Sequence, residues 1–180
     1  MRSSYLSNVN FGDIFQTIIK MKNPKRIVEF GILDGFSLDV FAKYSSNDCV
    51  IEGYDIFEEF NGNKPCKKSL HEKFSKYDNV TIDYGNFYNC IDKFDDNSID
   101  IIHIDIANTG DVYEFAIENY VKKIKKDGLM ILEGGSKDRD NVEWMTKYNK
   151  SPIVPIIEKY KSKYNIFTID KHPSMTMILL

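Results

Sequence analysis

Residues 29–37, with the sequence EFGILDGFS, constrain the fold of this chain more than any other stretch. A short, mostly apolar run at residues 26–28 precedes them, and a helical pattern starts at Ser37. This order predicts a strand, a turn through two glycines and a helix. Glycines allow the backbone to approach a ligand closely, and a helix N-terminus offers unpaired N–H groups. The stretch is therefore predicted to bind a nucleotide-like molecule.

The alternation of strand and helix continues along the chain. Apolar runs bounded by turn residues predict strands at residues 26–30, 49–55, 79–84, 99–105 and 129–132, with a terminal hairpin at 165–170 and 175–180. Helical spacing predicts helices at residues 11–22, 37–44, 69–77, 111–126, 140–148 and 152–164. These elements predict an α/β fold: a doubly wound, mostly parallel sheet with a C-terminal antiparallel hairpin, in one domain over residues 1–180.

Local signals set the expected helix ends. Capping boxes predict helix starts at Ser69, Asp111 and Asp140. Asp127-Gly128 is expected to end the helix that begins at Asp111, with a run of lysines crowding its last turn.

Several polar residues and glycines fall where the predicted strands end. Asp55 closes the second strand 20 residues after Gly35, which is where a Rossmann-type fold places its ribose ligand. Gly85, Asp105 and Glu133 follow the third, fourth and fifth strands. Ligands of parallel α/β sheets bind at the carboxyl ends of the strands, so these residues are expected to share one site.

Composition excludes several classes of partner. The 24 Lys and Arg against 27 Asp and Glu give a net charge of −3 with both signs interspersed, so no basic face for nucleic acid is predicted. No segment approaches the ~20 apolar residues of a membrane span, and the three cysteines form no CxxC pair. We expect a cytoplasmic protein with reduced thiols, a small-molecule partner and no nucleic-acid or membrane partner; the sequence leaves a homodimer open.

These residues resemble class I S-adenosylmethionine-dependent methyltransferases. The resemblance rests on the E-x-G-x-x-x-G loop at residues 29–35, on Asp55 after the second strand and on the strand at 99–105. The likeness is closest to small macrocin-type sugar O-methyltransferases. GYDIFE at residues 53–58 is similar to their G-F-D-S-F-E, GNF at 85–87 to their G-x-F, and IHID at 102–105 follows in the same order. The likeness covers residues 26–135.

The resemblance implies a role for each of these positions. Gly31 and Gly35 approach the methionine part of S-adenosylmethionine, Asp55 holds the ribose, and Asp105 faces the transferred methyl group. Asn86 and Phe87 lie beside the adenine. The residues expected to bind this cofactor are Glu29, Gly31, Ile32, Gly35, Phe36, Ser37, Asp55, Ile56, Gly85, Asn86, Phe87 and Asp105.

Asp105 and Glu133 are the expected catalytic residues, because a carboxylate near the acceptor can take its hydroxyl proton. Relatives that use magnesium have carboxylates after the fourth and fifth strands, commonly D-D or D-N on the latter. This chain has Glu133-Gly134 there, and extra residues follow Asp105 at positions 106–112. Magnesium with several water ligands thus stays open, although one expected ligand is missing.

The sequence predicts an S-adenosylmethionine-dependent methyltransferase that acts on a small hydroxylated acceptor such as a sugar or natural product. One alternative is an NAD-binding oxidoreductase, but G-x-x-x-G at residues 31–35 lacks the middle glycine that admits a pyrophosphate. A second alternative is a module that binds S-adenosylmethionine or a nucleoside without catalysis.

Overall fold

The computed structural model describes residues 1–5 and 9–180. Its strands are β1 (Arg26–Phe30), β2 (Val50–Asp55), β3 (Val80–Tyr84), β4 (Ile99–Ile104), β5 (Ile124–Glu133), β6 (Asn165–Ile169) and β7 (Met175–Leu179). Its α-helices are α1 (Phe11–Lys22), α2 (Phe36–Tyr44), α3 (Lys67–Phe74), α4 (Gly110–Tyr120), α5 (Lys137–Asp140), α6 (Glu143–Lys147) and α7 (Val154–Tyr160). The strands form a sheet in the order β3-β2-β1-β4-β5-β7-β6, which confirms the predicted α/β fold.

The chain forms two compact units, Met1–Lys93 and Phe94–Leu180. In the first unit β1 and β3 both pair with β2 in parallel, and Gly53 of β2 lies opposite Glu29 and Ile82. Asn10 caps α1, which ends at Lys22 as predicted, and the C-cap residue Asn23 has a left-handed backbone. The ring of Phe15 on α1 packs edge-on against Phe41 on α2, so these two helices share one part of the core.

In the second unit β4 and β5 are parallel, and β7 runs antiparallel to both β5 and β6. The C-terminal antiparallel hairpin is therefore confirmed. The inner strand β4 is buried along nearly its whole length, including His103, as expected of a strand covered on both faces.

The boundary between α4 and β5 differs from the prediction. Thr109, not Asp111, caps α4, which ends at Tyr120, and β5 already begins at Ile124. Asp127 and Gly128 lie within β5, where the register against β4 jumps from Ile99↔Ile124 to Ile101↔Leu129. Asp127 has a left-handed φ of 64°, which is typical of a bulge in a strand as well as of a helix end. Two of the nearby lysines form ion pairs, Lys123 with Asp96 and Lys125 with Asp100.

Three other predicted helices have different bounds, and the one predicted at residues 152–164 is the shorter α7, Val154–Tyr160. The N-cap of α3 is Cys66, so Ser69 lies inside the helix and forms no capping box. The predicted helix at 140–148 is instead the two short helices α5 and α6, because the carboxylate of Asp140 accepts the N–H groups of Ile153 and Val154 ahead of α7. Among the described residues, no helix combines the length and the apolar character needed to span a membrane.

Candidate functional site

The turn between β1 and α2 has the backbone conformations that its glycines predict. Gly31 has φ 87° and Gly35 φ 70°, and Leu33 between them is also left-handed at 48°. The turn is closed on itself by a 2.8 Å hydrogen bond from the Gly35 N–H to the Ile32 carbonyl. It is fixed to the neighbouring strand by a 2.9 Å bond from the Gly31 N–H to the carbonyl of Tyr54. These bonds hold the first turn of α2 at the carboxyl end of β1.

Two buried polar side chains, Glu29 and Ser37, connect the two ends of this turn by a hydrogen bond. Glu29, at the end of β1, is fully buried and accepts a hydrogen bond from the hydroxyl of Ser37 in the first turn of α2. A hydrogen bond to a buried carboxylate is charge-assisted and stronger than one between neutral groups. Glu29 therefore fixes the distance between the strand and the helix.

Asp55 lies at the end of β2 and connects three segments. Its Oδ2 accepts the Ile32 N–H at 2.8 Å, and its Oδ1 accepts the Phe57 N–H at 2.8 Å. The residue is only 8% exposed. Each carboxylate oxygen has a second lone pair, so the side chain can still accept hydroxyl groups while it shapes the turn. The predicted ribose contact stays a prediction, with Ile56 half-buried beside it.

The segment after β3 lies beside Asp55, because the N–H of Gly85 donates to the Asp55 carbonyl at 3.0 Å. A Cβ on Gly85 would lie 2.6 Å from the ring of Tyr54, so only glycine fits there. Asn86 is half-buried and accepts the N–H of Tyr88 at 3.0 Å. Phe87 is 3% exposed and packs edge-on against Phe30. The ring of Phe87 thus packs in the core, and the predicted contacts of Asn86 and Phe87 with the adenine stay predictions.

Two cations that the sequence did not single out fasten the same turn. The Nζ of Lys73 on α3 donates to the carbonyls of Asp34 and Gly35, both at 2.9 Å. Arg2 donates to Asp34 through its backbone N–H and its guanidinium, both at 2.7 Å. These hydrogen bonds hold the pKa of Asp34 below its usual value. No sequence pattern signals these contacts, because both partners lie more than 30 residues from the turn.

The second unit contains the two predicted catalytic carboxylates, and they differ in environment. Asp105 follows directly after β4 and is half-buried. Glu133 ends β5, is 4% exposed and forms a bidentate ion pair with Arg139: Nε to Oε1 at 2.8 Å and Nη2 to Oε2 at 3.0 Å. Both Glu133 oxygens are therefore engaged by one guanidinium, and the predicted catalytic role of Glu133 stays a prediction.

Arg139 is held on several sides. Its backbone N–H donates to the Ser136 hydroxyl that caps α5, and its Nη2 also donates to the Asn108 carbonyl at 3.2 Å. The guanidinium carbon lies 4.9 Å from the ring centroid of Trp144, a cation–π distance. Burial disfavours its charge, but the hydrogen bonds and charge of Glu133 outweigh this and raise the pKa of Arg139.

Asn108 and Tyr113 complete this polar environment. The Asn108 amide donates to the carbonyls of Ile104 and Glu133 at 2.9 and 2.8 Å, and the Tyr113 hydroxyl donates to the same Glu133 carbonyl at 3.0 Å. Burial raises the pKa of Tyr113 well above its usual value, so the phenol stays protonated near neutral pH. We call Asp105, Asn108, Glu133 and Arg139 the carboxylate–arginine cluster; Asp105 is close enough to raise the pKa of Arg139 through its charge.

A cavity of about 420 Å³ in the second unit lies elsewhere. Ile124 at the start of β5 and Leu179 at the end of the antiparallel β7 line it, together with Lys125 and Lys126. It is therefore at the opposite end of the strands from Asp105 and Glu133. Because ligands of such sheets bind at the carboxyl ends of the parallel strands, we do not assign this cavity to the candidate site.

A family model described as O-methyltransferase matches residues 4–151. The chain belongs to the O-methyltransferase family. This membership confirms the predicted methyltransferase and favours it over an NAD-binding oxidoreductase. The macrocin-type sugar subfamily stays a prediction.

The fold is similar to those of several solved methyltransferases. The chain superposes on the O-methyltransferase TomG from Streptomyces achromogenes, involved in tomaymycin synthesis and solved with S-adenosylmethionine, with a TM-score of 0.72 and 14% identity over 97% of this chain and 81% of that one. For an O-methyltransferase from Bacillus cereus in complex with S-adenosylhomocysteine the TM-score is 0.73 at 14% identity, over 99% and 84% of the two chains. For the S-adenosylhomocysteine-bound methyltransferase PaMTH1 from Podospora anserina the TM-score is 0.68 at 14% identity, over 96% of this chain and 79% of that one. None of the curated protein sequences compared with the chain matches it significantly.

The residues of the second unit do not fit a magnesium ion. Among the described residues, no three Asp, Glu, His or Cys side chains form a group that could hold a metal. Glu133 presents both oxygens to Arg139. A divalent ion about 4 Å from that guanidinium would meet a repulsion on the order of 8 kcal/mol at the effective dielectric constant of protein sites.

Proposed function

We propose that this protein transfers a methyl group from S-adenosylmethionine to an oxygen of a small hydroxylated acceptor. The observation that carries the proposal is the glycine turn of residues 31–35, closed against the carboxylate of Asp55 at the carboxyl ends of β1 and β2. Membership in the O-methyltransferase family supports the reaction, and the two neighbours solved with S-adenosylhomocysteine support the cofactor.

The first unit supplies the groups for the cofactor. The free lone pairs of Asp55 suit the two ribose hydroxyls, since a carboxylate accepts both. The N-terminus of α2, at Phe36 and Ser37, suits the carboxylate of the methionine part, because unpaired N–H groups and the helix dipole favour an anion there. Asn86 and Ile56 are the half-buried side chains nearest in sequence to the strand ends where we place the adenine.

On the acceptor side we assign one general base, Asp105. Its carboxylate is half-buried and is the member of the cluster that takes the proton of the acceptor hydroxyl in this proposal. Glu133 is withdrawn from this role by Arg139. When bound, S-adenosylmethionine supplies an electrophilic methyl group, and the protein must align the acceptor oxygen with it. Such alignment can lower a barrier by about 7–11 kcal/mol.

A sugar or a related natural product is the acceptor class that we propose. The support is the likeness of residues 53–58 and 85–87 to segments of small macrocin-type sugar O-methyltransferases. Asn108 and Arg139 leave one buried acceptor and one buried donor without hydrogen-bond partners among the described residues, a polarity that suits hydroxylated molecules better than apolar ones.

The test is methyl transfer from S-adenosylmethionine with a deuterated methyl group to two acceptor panels, sugars and catechols, with products detected by mass spectrometry. We expect labelled sugar products that disappear in Asp105→Asn. Labelled products from catechols alone would contradict the acceptor class, and an Asp105→Asn protein as active as wild type would contradict the role of the base.

A module that binds the cofactor without catalysis is the second candidate. The ion pair of Glu133 with Arg139 favours it, because it removes one of the two predicted catalytic carboxylates. This candidate predicts saturable binding of S-adenosylhomocysteine together with no labelled product from either panel.

A further inference from the structure

We infer that the guanidinium of Arg139 takes the place of a divalent cation in the carboxylate–arginine cluster, so that this protein works without a metal. The inference rests on the proposed function, since it concerns the acceptor side of the same reaction. It runs against the magnesium that the sequence left open for Asp105 and Glu133.

The first support is the way in which Glu133 is occupied. Its two oxygens meet Nε and Nη2 of Arg139 at 2.8 and 3.0 Å, both residues are about 5% exposed or less, and the pairing is bidentate. A cation that used Glu133 would have to displace a buried guanidinium. An arginine side chain stays protonated in proteins, so deprotonation cannot remove the positive charge that opposes a cation here.

The second support is that several contacts hold the guanidinium of Arg139 in one position, as protein ligands would hold a bound cation. Ser136 caps its helix, the Asn108 carbonyl accepts its Nη2 at 3.2 Å, and the ring of Trp144 covers the guanidinium carbon at 4.9 Å. These contacts come from the chain on both sides of β5. They hold one positive charge at the end of that strand, near enough to Asp105 for the two charges to interact.

The third support is an oxygen ligand left over in the cluster. The Asn108 amide gives both of its protons to the carbonyls of Ile104 and Glu133, which fixes its orientation. Its buried Oδ1 has no hydrogen-bond partner among the described residues. Two carboxylates and one amide oxygen are hard donors that suit Mg²⁺ or Mn²⁺. Removal of the guanidinium should therefore expose a site for such a cation.

The experiment is a titration of Mn²⁺ into four proteins, followed by electron paramagnetic resonance: wild type, Arg139→Met, Arg139→Met/Glu133→Gln and Arg26→Met. Arg26 is the matched control, because it also forms a bidentate pair, with Glu52, but outside the cluster. We expect no saturable Mn²⁺ binding in wild type or Arg26→Met, a new saturable site in Arg139→Met, and its loss in the double variant.

Two outcomes would overturn the inference: saturable Mn²⁺ binding by wild type that Asp105→Asn removes, or a folded Arg139→Met protein that gains no site. If Arg139→Met does not fold, the same comparison is made with Arg139→Gln, where a folded protein without a new site also overturns the inference. Binding of S-adenosylhomocysteine is measured on wild type alongside. Its absence would contradict the proposed function, whereas the Mn²⁺ result concerns Arg139.

Discussion

Gly35 shows how a single residue holds the glycine turn. Its φ of 70° is costly for any residue with a side chain, and a Cβ there would lie 2.7 Å from the ring of Phe74 on α3. Gly12, in the first turn of α1, lacks the positive φ, and the nearest atom to its Cβ would be Asn10 Oδ1 at 3.3 Å, a tight contact that a small shift of this side chain relieves. The two glycines thus form a matched pair for mutation.

We predict that Gly35→Ala lowers the free energy of unfolding by at least about 1–2 kcal/mol, from the left-handed backbone alone. Gly12→Ala should change it by less than about 1 kcal/mol, because alanine suits a helix better than glycine. Urea unfolding followed by circular dichroism measures both. Equal stabilities of Gly35→Ala and wild type would mean that the turn is not held in this conformation.

Asp34 gives a prediction on pH dependence. Its hydrogen bonds with Arg2 lower the pKa of the carboxyl below its usual value. A group whose pKa is lower in the folded state adds stability above its unfolded pKa and loses it as the pH falls through the folded value. The contact should therefore be intact at neutral pH and break only in acid, at a pH below the ordinary carboxyl pKa of about 4.

An NMR titration of the Asp34 carboxyl tests this directly. The midpoint should be lower in wild type than in Arg2→Gln, which lacks the guanidinium. Identical midpoints would show that the two residues are not in contact in solution.

At the scale of elements, α3 supports the site although it contributes no predicted ligand contact. Lys73 donates to the carbonyls of Asp34 and Gly35, so it ties this helix to the turn before α2. Lys76, two residues past the end of α3, is exposed and lies over the ring of Tyr77 instead.

We predict that Lys73→Met speeds hydrogen exchange of the amides in residues 32–37 and weakens binding of S-adenosylhomocysteine, because the turn loses two hydrogen bonds. Lys76→Met should leave both unchanged. Hydrogen exchange followed by mass spectrometry measures the first effect and calorimetry the second. Unchanged exchange in Lys73→Met would show that α3 does not restrain the turn.

The elements also show what the sequence can and cannot reveal. The bounds of β1 were predictable because a short apolar run stands between Pro24 and the glycine turn, where propensity and burial agree. The end of α4 was not predictable, because a lysine-rich run suits a helix. The positions of Lys123 and Lys125 are set instead by their ion pairs with Asp96 and Asp100. Local signals failed where partners distant in sequence decided the structure.

The same limit applies to the site. Asp55 and the glycine turn could be located from spacing alone, since a strand, a turn and a helix are local features. The ion pair of Glu133 with Arg139 could not be predicted, because it depends on how the chain folds back after β5 and brings Arg139 to the carboxylate. The role of Asn108 could not be predicted from the sequence either, since its amide donates to carbonyls on two different strands.

At the scale of the whole molecule, the predicted roles divide between the two compact units. All predicted cofactor residues except Asp105 lie in the first unit, Met1–Lys93, and both predicted catalytic carboxylates lie in the second. Loss of Arg139 or Glu133, which are not among the predicted cofactor residues, should therefore alter stability and acceptor chemistry while cofactor binding is retained.

We predict that Arg139→Met costs about 3–5 kcal/mol of stability, because it leaves the buried charge of Glu133 without a partner. The double variant Arg139→Met/Glu133→Gln should recover much of this loss. Urea unfolding of both variants and of the Glu133→Gln single variant completes the cycle. If the losses in the free energy of unfolding of the two single variants add up to that of the double variant, Glu133 and Arg139 have no coupling energy, which would contradict this prediction.

The central claim is that the turn at residues 31–35 and Asp55 hold S-adenosylmethionine. Calorimetric titration with S-adenosylhomocysteine tests it most directly, in wild type, Asp55→Ala and Asp83→Ala. Asp83 is the control, because its carboxylate lies on the neighbouring strand β3 and is exposed. We predict saturable binding to wild type and Asp83→Ala, and none to Asp55→Ala. The absence of binding to wild type, or equal binding to Asp55→Ala, would contradict the claim.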